Sequence, residues 1–80
     1  MNHMSQLAEE VRKARRLPPP LMARGIRRAA GVSQTRLAEA LGVHRVTVTR
    51  WELGARAPRG AIRLAYAALL DELQREVLNS

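Results

Sequence analysis

One stretch constrains the chain more than any other: Ser33 to Gly54, SQTRLAEALGVHRVTVTRWELG. Ser33 is of the residue type whose side-chain oxygen accepts from a free backbone N–H of a first helical turn, so a helix is predicted from Gln34 to Leu41. Leu37, Ala38 and Leu41 fall at i, i+1 and i+4 and give that helix one apolar face, while Gln34, Arg36 and Glu39 lie mostly outside it. Gly42 ends it, because glycine enters the left-handed region without a Cβ clash, and Val43 turns the chain inward. A second helix is predicted from Arg45 to Leu53, with Val48 and Trp51 inward and Gly54 as its stop. Ala38 is small where a close helix crossing needs it. His44, Arg45, Thr47, Thr49 and Arg50 are left facing outward, and Val46 partly so.

An ordinary helical hairpin with a solvated polar face also fits part of this pattern. Two helices this short, a tight glycine turn and an Arg/Thr-rich outer face favour the DNA-binding helix-turn-helix. The string SQxxLAxxLGVxxxTVxRWExGxRxP, Ser33 to Pro58, resembles the Cro/C1-type (XRE-like) helix-turn-helix family of phage repressors and bacterial transcription regulators. With its flanking helices the resemblance spans about Leu21 to Tyr66. It implies an all-α, lambda-repressor-like bundle whose first helix ends in RGIRRAAG and whose fourth begins after Pro58. By residue-for-residue carry-over it implies an ion pair between Arg27 and Glu52, the alternative being two unrelated surface charges of little worth. It also implies that Gln34 contacts DNA backbone and supports the reading residue, and that the loop ARAPRG lies along the phosphates with Arg56 and Arg59 in contact. The sequence departs from the family's pattern at His44, where Ser is common, and in a C-terminal segment without a break.

Charge points the same way. The chain carries +7, but residues 1–11 carry −2, residues 12–63 carry thirteen Lys/Arg against Glu39 and Glu52 for +11, and residues 64–80 carry −2. Positive charge is therefore concentrated on the segment that holds the reading helix, as expected of a surface that displaces counterions from phosphates. Eighty residues make one small domain with a modest core. With no Phe, and Trp51 and Tyr66 the sole aromatics, aliphatic side chains must fill that core. The absence of cysteine removes disulfides, thiolate metal sites and thiol nucleophiles. Neither the apolar run of a signal peptide nor the ~20 apolar residues of a membrane span is present, so a cytoplasmic protein with no membrane partner is expected.

In chain order, residues 1–17 read as an N-terminal extension, with Met1 to Met4 a frayed start and a helix from Gln6 to Arg16 capped by Ser5. Leu7, Ala8, Val11 and Ala14 share one side of it, and Arg12, Lys13, Arg15 and Arg16 load its C-terminal end. It is either an extra helix covering the core or a basic arm on DNA backbone. Leu17 to Pro20 must interrupt helix, since proline lacks an N–H and disfavours helical geometry before it, although Pro20 can open the next helix. That helix is predicted from Pro20 to Ala30, with Leu21 or Met22, Ala23, Ile26 and Ala30 inward. It opens the helix-turn-helix domain, residues 18–80. After Gly60 neither Pro nor Gly occurs, so one long helix is predicted over residues 59–78. In it Ile62, Ala65 and Leu69 face the core, and Tyr66, Leu70, Leu73 and Val77, spaced 4, 3, 4, form a coiled-coil-like seam. That surplus face either makes a homodimer or is covered by Leu7 and Val11.

Insertion of the second helix in a major groove assigns Arg45, Val46, Thr49 and Arg50 to base edges, with the arginines on guanine O6 and N7. Gln34, Arg36, His44, Thr47, Arg56 and Arg59 are assigned to the backbone. His44 keeps three readings, as a phosphate contact, a base contact or a plain exposed side chain. One Asp, three Ser and two His, with no nucleophile-base spacing, two-carboxylate site or Gly-rich phosphate loop, give catalysis almost no material. The expectation is a non-enzyme without cofactor or metal. Two functions compete: a sequence-specific double-stranded DNA-binding transcription regulator, most simply a repressor, and an antitoxin or adaptor that binds a protein partner and regulates itself through DNA. A basic amphipathic membrane-surface peptide fits poorly, because the arginines cluster beside the turn instead of along one long face.

Overall fold

The structure is a computed structural model that describes residues 3–14 and 16–80, and the side chains of these except residues 3 and 10–14. Among the described residues it is wholly helical: α1 (His3–Ala14), α2 (Pro20–Ala29), α3 (Gln34–Leu41), α4 (Arg45–Glu52) and α5 (Gly60–Asn79). The proposed basic arm at Arg15, and the roles expected of Val11, Arg12, Lys13 and Ala14, fall outside the described side chains.

The boundaries follow local chemistry. α1 starts before Ser5, which therefore does not cap it, and ends at Ala14 where Arg16 was expected. Pro18 disfavours helical geometry in Leu17 before it, and residues 16–19 are non-helical. Pro20 occupies the first position of α2, where no N–H is missed. Ser33 caps α3, its Oγ accepting from the Arg36 N–H at 3.0 Å. Gly42 then sits in the left-handed region at φ 69°, and the Val43 N–H donates back to the Ala38 carbonyl at 3.0 Å, closing the turn into α4. His44 takes the cap position of α4 without a side-chain cap bond, and Leu53 forms its C-cap, 72 % exposed. Gly54, at φ 74°, sends the chain into the loop to α5.

The core is one cluster. Ala23 and Ile26 of α2, Leu37 and Ala38 of α3, Val48 and Trp51 of α4, and Tyr66 and Leu70 of α5 are buried together, with Leu17, Val32, Leu41, Val43, Ile62, Leu69 and Leu73 packed against them. The Trp51 and Tyr66 rings lie 4.8 Å apart at a 32° tilt and supply the large apolar surface that the missing phenylalanines do not. Close packing joins α3 to α4, α2 to α5, α2 to α4 and α3 to α5; α1 is not among these pairs.

Two expected placements change. Leu21 and Met22 are 75 % and 57 % exposed, because the inward stripe of α2 runs through Ala23, Ile26 and Arg27. On α5, Tyr66 and Leu70 are 1 % and 0 % exposed and belong to the core, while Ala65, expected inside, is exposed. Ile62, Tyr66, Leu70, Leu73 and Val77 form a single inward stripe, so Tyr66 and Leu70 are not available to a partner; Leu73 and Val77 are half-buried.

The depth of the core makes one stability difference measurable. Leu37→Ala is expected to cost about 2–5 kcal/mol in urea melts, whereas Leu53→Ala stays within about 0.5 kcal/mol. Equal costs would mean that Leu53 packs inside.

Candidate nucleic-acid interface

The geometry of the site begins with a buried charge. Arg27 is 8 % and Glu52 3 % exposed, and they meet in a forked pair: Arg27 Nε donates to Glu52 Oε2 at 2.6 Å and Nη2 to Oε1 at 2.9 Å. Arg27 Nη1 donates to the Val32 carbonyl at 2.8 Å, which ties the α2–α3 turn to the same guanidinium. The Gln34 amide extends the network. Its Nε2 donates to Glu52 Oε1 at 3.0 Å and its Oε1 accepts from the Thr49 hydroxyl at 2.9 Å, a proton that Thr49 shares with the Arg45 carbonyl at 3.1 Å. Four groups from three helices thus hold α4 from below and orient the Gln34 amide in one sense.

The outer side of α4 is set by what the network and core leave over. Arg45, Val46 and Arg50 are exposed, as is His44, whereas Thr47 and Thr49 are half-buried. Thr49, expected to offer its hydroxyl to a base, spends that proton on Gln34. Gln34 is half-buried, and Arg36 is exposed beside Glu39 at 3.7 Å, a loose solvent pair. Alongside α4 lies an open groove of about 700 Å³ that brings Thr47 and Arg50 together with Arg56 and Arg59 of the following loop. Trp51, Pro58 and Ile62 also line it, and buried Pro58 pins the loop. Arg45, Val46 and Arg36 are not part of that groove.

A family model described as helix-turn-helix matches residues 24–74, well over half of the chain. The chain belongs to the Cro/C1-type helix-turn-helix family. No curated protein and no solved structure matches it. Family members of this type are DNA-binding regulators, and α3, the Gly42 turn and α4 form the helix-turn-helix of this one. Among the described residues no helix is long and apolar enough to cross a membrane, and no cluster of His, Cys, Asp or Glu could hold a metal ion.

Sequence reasoning missed parts of this helix-turn-helix. The Arg27 bond to the Val32 carbonyl has no signal in residue spacing, and neither does the commitment of the Thr49 hydroxyl. Arg24, exposed on α2, adds to the field at Glu52.

Electrostatics at the pair run in opposition. Burial pushes the Glu52 carboxyl up, but the hydrogen bonds from Arg27 and Gln34 and the charges of Arg27 and Arg24 outweigh it, leaving the group below its ordinary 4.5. The hydrogen bond to Glu52 chiefly holds Arg27 more firmly protonated than in water. A carboxyl lowered by folding stabilises the fold fully above its unfolded value and loses that contribution as pH falls through its folded value. Stability should therefore decline from about pH 4.5 downward, and Glu52→Leu should flatten that part of the profile. At neutral pH, Arg27→Met and Glu52→Leu are each expected to cost about 3–5 kcal/mol and the double variant less than either, because each single change strands a buried charge. Equal stability of the singles and the double would contradict a buried pair.

Proposed function

We propose that the protein is a sequence-specific transcription regulator that inserts α4 in the major groove of double-stranded DNA and represses by occupying an operator. The observation that carries this reading is the division of α4. Its inner side is pinned by Arg27, Glu52 and Gln34, while Arg45, Val46 and Arg50 stand free in solvent. A reading helix needs both, since base-edge contacts reward only side chains whose backbone is held at a fixed angle.

Arg45 and Arg50 are the residues that distinguish guanine, each worth about 1–3 kcal/mol against a wrong base, and Val46 offers a contact to a thymine methyl. Thr49 acts mainly by holding α4 through Gln34. Arg56 and Arg59 line the groove beside Arg50 and meet phosphates there with Thr47; Arg36 and His44 are exposed for the same backbone. The protein works in the cytoplasm as a homodimer that prefers an inverted repeat with half-sites about one turn, ~10 bp, apart. The competing reading, an antitoxin or adaptor with autoregulatory DNA binding, draws on an exposed apolar face between α2 and α5.

Selection of bound sequences from random DNA, across a salt series, tests the proposal. Wild type should recover an inverted repeat, whereas Arg45→Ala/Arg50→Ala should lose it yet keep weak, salt-sensitive binding. Arg56→Ala or Arg59→Ala should preserve sequence preference and lower the salt slope by about 1 each. Unselective binding by wild type would reduce the basic face to a nonspecific anchor and turn attention to a protein partner.

A further inference from the structure

The loop that lines the α4 groove also lines a second, smaller cleft, of about 250 Å³. Buried Ala23, Trp51 and Tyr66 form its floor, and its sides are Pro18 and Pro20 of the linker before α2 and residues 54–58 of the loop after α4. The two sides approach each other closely, since a Cβ placed on Gly54 would lie 3.6 Å from Pro20 Cγ. Two polar groups break this apolar lining. Arg56 is exposed and belongs to none of the ion pairs among the described residues. Tyr66 is 1 % exposed, and its hydroxyl is the one buried side-chain polar atom among the described residues without a hydrogen-bond partner. Native interiors leave few groups in that condition, and each calls for an occupant or a role. Burial raises the phenol to about 12, so it stays protonated at neutral pH and is a donor. Because that hydroxyl has already lost its water, a ligand oxygen that reaches it gains a hydrogen bond at no further desolvation cost to the protein. Residues 54–57, all exposed, are the side of the cleft that yields to admit it.

We propose that this cleft binds a small aromatic carboxylate of one ring with a second oxygen on that ring, and that the ligand acts as an effector of DNA binding. Three features select that chemistry. The volume lies below the roughly 300–1,000 Å³ of sites for larger ligands, so a single ring fills it. Flat apolar surfaces, the Trp51 ring and the two linker prolines, suit an aromatic ring better than a branched chain. Arg56 is the one charged residue of the lining among the described residues, so the ligand is an anion, and a guanidinium fork matches a carboxylate. The second oxygen accepts from the Tyr66 hydroxyl. The effector role rests on the assignment of Arg56 to DNA phosphate above. Trp51, Ala55, Arg56, Ala57 and Pro58 line both cavities, so occupancy of the cleft acts on the loop beside α4. An Arg56 held by the ligand carboxylate is lost to the phosphate, and DNA is bound more weakly.

Trp51 is the only tryptophan and lines the cleft, so its fluorescence reports occupancy. Titration of the full chain with para-hydroxybenzoate, without DNA and at constant ionic strength, should give a saturable change with a Kd of about 1 mM or tighter. The uncharged para-hydroxybenzamide should bind about fivefold more weakly, the worth of a well-made exposed charge pair, and Arg56→Gln should remove that difference. Benzoate should bind more weakly than para-hydroxybenzoate. Tyr66→Phe should bind the two alike while melting no lower than wild type, because it deletes an unpaired hydroxyl; a purely structural role would move the melting and leave the preference intact. Ala57→Leu, at an exposed position, should fill the cleft and abolish binding with helix content retained. With DNA present, para-hydroxybenzoate should weaken wild-type binding several-fold and leave Arg56→Gln unaffected. No saturable change in wild type, or one undiminished in Ala57→Leu, would overturn the site. Saturable binding with no effect on DNA affinity would overturn the effector role alone. A wild type that binds the ligand but selects no DNA sequence would fault the reading of α4 and leave the cleft standing.

Discussion

The buried pair of Arg27 and Glu52 is the constraint on which the placement of the other elements depends. It joins α2 to α4, and through Val32 and Gln34 it also fixes the turn into α3 and the first residue of α3. Such a pair is poor evidence of net stability, since removing two charges from water costs several kcal/mol per ion and well-packed apolar residues often do as well. Its effect is on geometry. A guanidinium offers donors in a rigid plane, and here three separate nitrogens have acceptors, so rotation of α4 about its axis would break several bonds at once. An apolar contact between α2 and α4 would tolerate such a rotation at small cost, and a helix that reads base edges would lose its register.

The same logic explains why the outer residues of α4 are sparse. In a helix of eight residues, Val48, Trp51 and Glu52 face inward and are buried, and Thr47 and Thr49 are half-covered. What remains exposed on α4 is Arg45, Val46 and Arg50, with His44 at the cap. Two of those side chains are long, flexible cations, whose placement depends on the stiffness of the backbone that carries them. The Thr49 hydroxyl, at the centre of the outer surface by spacing alone, supplies that stiffness through Gln34.

This division also shows which parts of the structure a sequence reveals. The limits of α3 are legible because Ser33 and Gly42 act on backbone groups within four residues of themselves. The end of α1 is less legible: the helix stops at Ala14, two residues short of Arg16, and no cap residue marks that end in the sequence. The faces of α5 were harder. Apolar residues occur on more than one side of this 20-residue helix, so Tyr66 and Leu70 fit a partner seam as well as a core until the positions of Trp51 and Ile26 are known. Thr49 is the same case in polar form: spacing places it outward, and only Gln34, fifteen residues earlier, claims its proton. Signals that act on near neighbours in the chain are legible in the sequence, and choices settled by a non-local neighbour are not.

One consequence concerns how the two surfaces of the molecule communicate. α2 carries Gly25 and Ala29 on the apolar face it shares with α5 and Arg27 on the ion pair, so a single helix of ten residues touches both the apolar face and the anchor of the reading helix. A contact made on α2 would bear on α4 through one rigid element and one forked pair, with no loop between them.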